Sequence, residues 1–199
     1  MQQCGKKLCG DLYNGDSGIS NLKFFIPPSK ESRTALHYAA ISATDEFTKL
    51  ILSKKVDVSM TDDYGKAVIH LACEKGHEKI VRELLNSKAY VNFRSKSGHT
   101  PLHFAAQYGN RNLIKWMVTE YEASLETVSD GMTALHYAAK YGHIEVVKVL
   151  VESGASTTEK TNNKKTAIAF AAASGFVDVV IYLLDKVDID ELCEDKKVK

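Results

Sequence analysis

No stretch of this chain approaches the roughly 18 consecutive apolar residues that a membrane-crossing helix requires. No basic start followed by a short apolar run marks an export signal either. The expectation is a cytoplasmic chain without direct membrane insertion. An excess of one charge is also missing, since 26 Lys and Arg face 25 Asp and Glu. Non-specific nucleic-acid binding draws on a strongly basic face, so nucleic acid is not an expected partner. Cysteine is sparse: Cys4, Cys9, Cys73 and Cys193 form neither C-x-x-C pairs nor zinc spacings. A chain of 199 residues can bury a core without disulfide staples, so reduced thiols and no metal site are expected. No P-loop, G-x-S-x-G, H-E-x-x-H or EF-hand spacing occurs, and no carboxylate pair recurs at catalytic spacing. The chain therefore reads as no enzyme, with no catalytic residues and no cofactor.

What is present is a period. The heptapeptides TALHYAA, AVIHLAC, TPLHFAA, TALHYAA and TAIAFAA begin at positions 34, 67, 100, 133 and 166, every step being 33 residues. Nine residues into the units stand Gly76, Gly109, Gly142 and Gly175, with Ala43 as the exception in the first. Apolar residues then recur as Phe47, Ile80, Leu113, Val146 and Val179, followed by Ile51, Leu84, Met117, Leu150 and Leu183. That spacing turns one face of a second helix inward. Gly65, Gly98 and Gly131 precede the units at tight turns. The starting Thr suits a helix N-cap, where a hydroxyl accepts from amides of the first turn. Each unit reads as turn, helix, glycine stop, helix and loop.

This pattern resembles the ankyrin repeat, whose T-P-L-H-x-A signature matches most fully at Thr100–Ala105. The resemblance implies an all-α fold, an ankyrin-repeat solenoid of stacked helix–turn–helix units with β-turn fingers. Residues 34–66, 67–99, 100–132 and 133–165 are expected to be four full repeats, and 166–190 an incomplete fifth. Residues 1–33 read as a degenerate N-terminal capping half-repeat and 191–199 as a charged tail. The fifth unit has Lys164 where the others carry the turn glycine, so Asn163 is the expected left-handed residue there.

His37, His70, His103 and His136 share one position of the period. Equivalent atoms of stacked helices lie about 10 Å apart while metal–nitrogen bonds are about 2 Å, so successive histidines cannot share an ion. The resemblance assigns them a structural role, bonding the starting Thr and neighbouring backbone; His77 and His143 receive the same reading. Cys73 occupies a small-residue slot and reads as an inert core thiol. Trp116 shares its slot with Leu50, Val149 and Tyr182, which suggests half-buried packing.

With the framework subtracted, variable surface remains. The resemblance implies a protein partner at the finger tips and the exposed end of each first helix. On this sequence those positions give Asp63, Tyr64, Lys66, Glu74 and Lys75, then Lys96, Ser97, His99, Gln107 and Tyr108, then Asp130, Met132, Lys140 and Tyr141. Tyr64, Tyr108, Met132 and Tyr141 are expected anchors, because such side chains dominate interfaces. Lys96 and Lys140 are expected to steer an acidic partner. Ile181 stands where earlier units place Lys49, Arg82, Lys115 and Lys148. With Tyr182 it marks a C-terminal face for additional repeats or self-association. A second reading is a structural spacer or spring within a larger channel, toxin or cytoskeletal adaptor.

Overall fold

The computed structural model describes residues 31–186. Most of the expected capping half-repeat in 1–33, Cys4, Cys9, Cys193 and the tail at 191–199 lie outside the described residues. Ten helices follow in pairs. The pairs are α1 (Ala35–Ile41) with α2 (Asp45–Ser53) and α3 (Val68–Lys75) with α4 (Glu78–Asn86). Next come α5 (Pro101–Gln107) with α6 (Arg111–Tyr121) and α7 (Ala134–Lys140) with α8 (Ile144–Glu152). The last pair is α9 (Ala167–Ser174) with α10 (Val177–Lys186). The first helices pack in one row, α1 on α3, α3 on α5, α5 on α7 and α7 on α9. Among the second helices α2 packs on α4, α6 on α8 and α8 on α10. The result is a two-layered helical solenoid.

The alanines explain the close first-helix row. Ala39, Ala40, Ala72, Ala105, Ala106, Ala138 and Ala139 are all buried, and Cys73 fits the same slot at 0 % exposure. Any longer side chain there would separate the helices. Ala172 is exposed because no further first helix stacks on α9 among the described residues. Larger side chains fill the space between the layers, and Ile69, Ile80, Leu84, Leu102, Leu113, Met117, Leu135 and Leu150 lose nearly all contact with solvent. Trp116 goes deeper than half-buried, to 8 % exposure, between the Arg82 guanidinium 4.3 Å over its ring and Tyr121 at 4.7 Å.

Unit three divides its 33 residues differently. The left-handed residue after the second helix is Lys55, Lys88 and Gly154 in three units, but Glu122 in this one, a position late. Helix α6 is correspondingly long at 11 residues, against nine in α2, α4 and α8. The finger gives the residue back. Elsewhere its amide and carbonyl join four apart, Asp62 to Lys66, Ser95 to His99 and Thr161 to Lys165. Here Ser129 and Met132 exchange both bonds, at 2.9 and 2.8 Å, around Asp130-Gly131. Both turn residues have positive φ, 51° and 74°, as a two-residue primed turn demands. The fifth-unit finger corrects another expectation. Lys164 itself is left-handed, with φ 57°, and Asn163 is not.

Two stability outcomes follow. Leu135 is 1 % exposed, so Leu135→Ala should lower unfolding free energy by about 2–5 kcal/mol in urea titration. Ala43 holds φ 55° at the stop where the other units carry glycine. Left-handed backbone costs a non-glycine residue about 1–2 kcal/mol and glycine's extra chain entropy returns part of that, so Ala43→Gly should stabilise by about 0.5–1 kcal/mol. A lowered urea midpoint for that variant would contradict the assignment.

Candidate partner interface

The four repeated histidines are used up by backbone. Nδ1 accepts the amide of the residue three positions earlier, at 3.1 Å for Thr34–His37, 3.0 Å for Ala67–His70, 3.1 Å for Thr100–His103 and 3.2 Å for Thr133–His136. A nitrogen that accepts carries no proton, so the proton sits on Nε2. That atom donates to carbonyls near the far end of its own unit, those of Lys66 (3.2 Å) for His37, Phe93 (2.9 Å) and His99 (3.2 Å) for His70, Met132 (3.1 Å) for His103 and Glu159 (3.1 Å) for His136. The Thr34, Thr100 and Thr133 hydroxyls, expected to cap helix amides, have short contacts of 2.8, 2.8 and 2.9 Å to the same rings. Burial opposes ring charge, lowering His37 and His136 and taking His70 and His103 to about 4.

A second set of ties runs backwards. His77 reaches the Ile41 carbonyl at 3.4 Å, Asn110 donates to that of Cys73 at 2.7 Å, and His143 reaches that of Gln107 at 2.9 Å. Asn110 belongs to this series although its letter differs; the 33-residue step from His77 was the available signal. Finger closure was also missed. Asp62 Oδ1 accepts from the amides of Tyr64 (3.0 Å) and Lys66 (2.9 Å), Ser95 Oγ from that of His99 (3.1 Å), and Thr161 Oγ1 from that of Lys165 (3.2 Å). The clue was a short acceptor recurring at one position of the period. Asp62 is additionally faced by Arg33, Nε to Oδ2 at 3.4 Å.

These ties leave a strip along the ends of the first helices. Tyr108 is 49 % and Tyr141 42 % exposed, and the Gln107 amide lies 3.4 Å from the Tyr141 hydroxyl. Lys140 Nζ stands 5.6 Å from the Tyr141 ring centroid. Glu74 holds Lys66 at 2.9 Å and Lys75 at 3.5 Å. Partial burial raises the Tyr108 phenol above its usual range, with smaller contributions from Glu74 and Tyr141. Tyr64, 56 % exposed, sits on the neighbouring finger with its carbonyl bonded to the Lys96 amide, while Lys96 Nζ donates to the Asp63 carbonyl at 2.8 Å. Asp130 is exposed at the tight tip of the next finger.

A family model for ankyrin repeats (three copies) matches residues 8–95, 36–129, 87–161 and 121–195. The chain belongs to the ankyrin-repeat family. A search of curated proteins returned no match. Ankyrin repeats are in general protein–protein interaction modules, and the strip just described lies on the inner ends of this array's first helices.

Three of the expected contact residues belong to the ankyrin framework instead. Met132 is 9 % exposed, its backbone pairs with Ser129 and its carbonyl takes the His103 proton, so it offers no anchor. His99 is half-buried with both ring nitrogens bonded, Nδ1 to the Ser97 and Ser129 hydroxyls and Nε2 to Tyr137, each at 2.8 Å. Lys66 is neutralised by Glu74 and lies 4.5 Å over the Phe104 ring. At the far end Val177, Ile181 and Leu184 are 67, 64 and 49 % exposed, while Tyr182 is half-buried.

The lowered histidines set a pH dependence. Unfolded rings take protons near 6.5, whereas folded His70 and His103 resist until about 4. Their contribution is complete above 6.5 and is lost as pH falls towards 4, by on the order of 3 kcal/mol per ring over the whole window. The urea midpoint should therefore drop between pH 7 and pH 5, before carboxylates titrate. An unchanged midpoint would contradict the assigned tautomer and burial.

Proposed function

We propose that this ankyrin array is a non-catalytic scaffold that binds a protein partner across its finger tips and inner helix face. The observation that carries the reading is the exposed pair Tyr108 and Tyr141 on adjacent repeats, supported from below by buried framework. Tyrosines are among the side chains that contribute most when desolvated in an interface. Helix pairs locked at both boundaries lose little conformational freedom on docking. Tyr64 and Asp130 extend the contact onto the fingers, and Gln107 offers an amide between the tyrosines.

Lys75, Lys96 and Lys140 border this strip; Glu74 inside it is already held by two lysines, and Asp63 and Asp130 are the exposed carboxylates of the adjoining fingers. An acidic partner suits that balance, with the lysines raising the encounter rate. A cytoplasmic location is part of the proposal; among the described residues no helix is long and apolar enough to cross a membrane. The exposed row Val177, Ile181 and Leu184 supports additional repeats or self-association at that end.

Affinity capture with the chain as bait, followed by the double variant Tyr108→Ala, Tyr141→Ala, tests the site. The partner recovered with the parent chain should be lost with the double variant and retained with Lys115→Ala on the opposite layer. Equal melting temperatures would exclude misfolding as the cause. Recovery unaffected by the double variant would move the interface elsewhere.

A further inference from the structure

We propose that Ser97 is a phosphorylation site for an arginine-directed serine/threonine kinase, and that the phosphate is received by the ring N–H of His99, with Arg94 and Lys96 as the cations of the same finger. Of the described serines, Ser97 alone has basic residues both three and one positions before it, Arg94 and Lys96. A guanidinium and an ammonium at such offsets are what a carboxylate-lined kinase cleft recognises. The hydroxyl is presented at an exposed finger tip, on a turn closed by Ser95 N to His99 O and Gly98 N to Ser95 O, both 2.9 Å.

The tautomer of His99 supplies the second half of the argument. Ser129 donates its hydroxyl proton to the Ser97 carbonyl at 2.8 Å, yet the same Oγ lies 2.8 Å from His99 Nδ1. The proton of that second contact must come from the ring, so Nδ1 is the protonated nitrogen and Nε2 accepts from the Tyr137 hydroxyl at 2.8 Å. This is the reverse of the four framework histidines. An N–H thus already stands 2.8 Å from Ser97 Oγ, the oxygen that would be esterified.

The two cations keep their charge for an incoming anion. Arg94 Nη2 donates to the Val128 carbonyl at 2.7 Å and passes over Gly98, 3.1 Å from where a first side-chain carbon would stand. Lys96 donates to the Asp63 carbonyl. Neither meets a carboxylate among the described residues. Asp130 and Lys66 are the other charges acting on His99, the first favouring and the second opposing its protonation.

In the transfer, Ser97 Oγ attacks the γ-phosphorus of a nucleoside triphosphate. The Oγ–P bond forms as the bond to the bridging oxygen breaks, the nucleoside diphosphate leaves, and the hydroxyl proton passes to the kinase's catalytic carboxylate. The product adds about −1.5 to −2 charge beside the ring. His99 then takes a second proton, donating from Nδ1 to phosphate and from Nε2 to Tyr137. One modification thereby adds charge to the link that His99 already makes from the 95–99 finger to Tyr137 of α7, whether or not Tyr108 and Tyr141 form the partner site.

The test incubates the chain with ATP and an arginine-directed kinase, maps phosphate by mass spectrometry, and follows the His99 ring by NMR titration. Expected are one phosphate on Ser97, none there in Ser97→Ala, and a rate lowered about tenfold in Arg94→Gln with an unchanged melting temperature. The His99 midpoint should rise by about one unit or more in the phosphorylated chain. An unmodified Ser97, an Arg94→Gln rate equal to the parent's, or an unmoved His99 midpoint would each overturn the proposal.

Discussion

Everything in this array hangs on a histidine that bonds in two directions at once. Its Nδ1 closes the start of its own helix, and its Nε2–H reaches a carbonyl in the finger that ends its own unit. The first bond dictates the tautomer and the tautomer enables the second, so helix start and finger closure are one arrangement. A single repeat cannot bury its apolar face, and neighbour contacts supply the stability. Within each unit the histidine adds direction to that burial by holding the finger at a defined distance from the helix start. The backward ties of His77, Asn110 and His143 hold the first three boundaries between units.

This division of labour explains why the contact strip is where it is. Positions bonded across a boundary are unavailable to a partner, whatever their chemistry. Lys66 and His99 sit two residues before the next helix and are drawn onto Phe104 and Tyr137 of the unit after that. Lys75 ends its helix and Tyr108 and Tyr141 cap theirs, and all three stay exposed. Rigidity below and exposed rings above are what the proposed recognition surface rests on.

Much of this was legible because a repeat writes the same constraint five times. The helix pairs, the alanine row, the buried Cys73 and the inner-face tyrosines followed from a 33-residue step and helical spacing. The misses share a cause. The period counts residues without saying how they are divided, so the one-residue exchange between α6 and its finger left no trace in the spacing. Met132 was read from that spacing as a finger-tip residue, whereas the tightened turn pairs its backbone with Ser129 and buries it. The finger-closing series Asp62, Ser95 and Thr161 was hidden because three different letters perform one acceptor role.

By itself the sequence determined the architecture: the stacked helix pairs, the helix faces, the small-residue seam and the family. Those depend on periodicity and side-chain volume, which the letters state directly. Tertiary structure alone decided which polar groups are free. Whether Lys66 is a contact or an ion pair depends on Glu74, eight residues on, and which nitrogen of His99 bears the proton depends on Ser129 and Tyr137, 30 and 38 residues on. Hydrogen bonds have direction and short reach, so their partners become known only once the repeats are stacked.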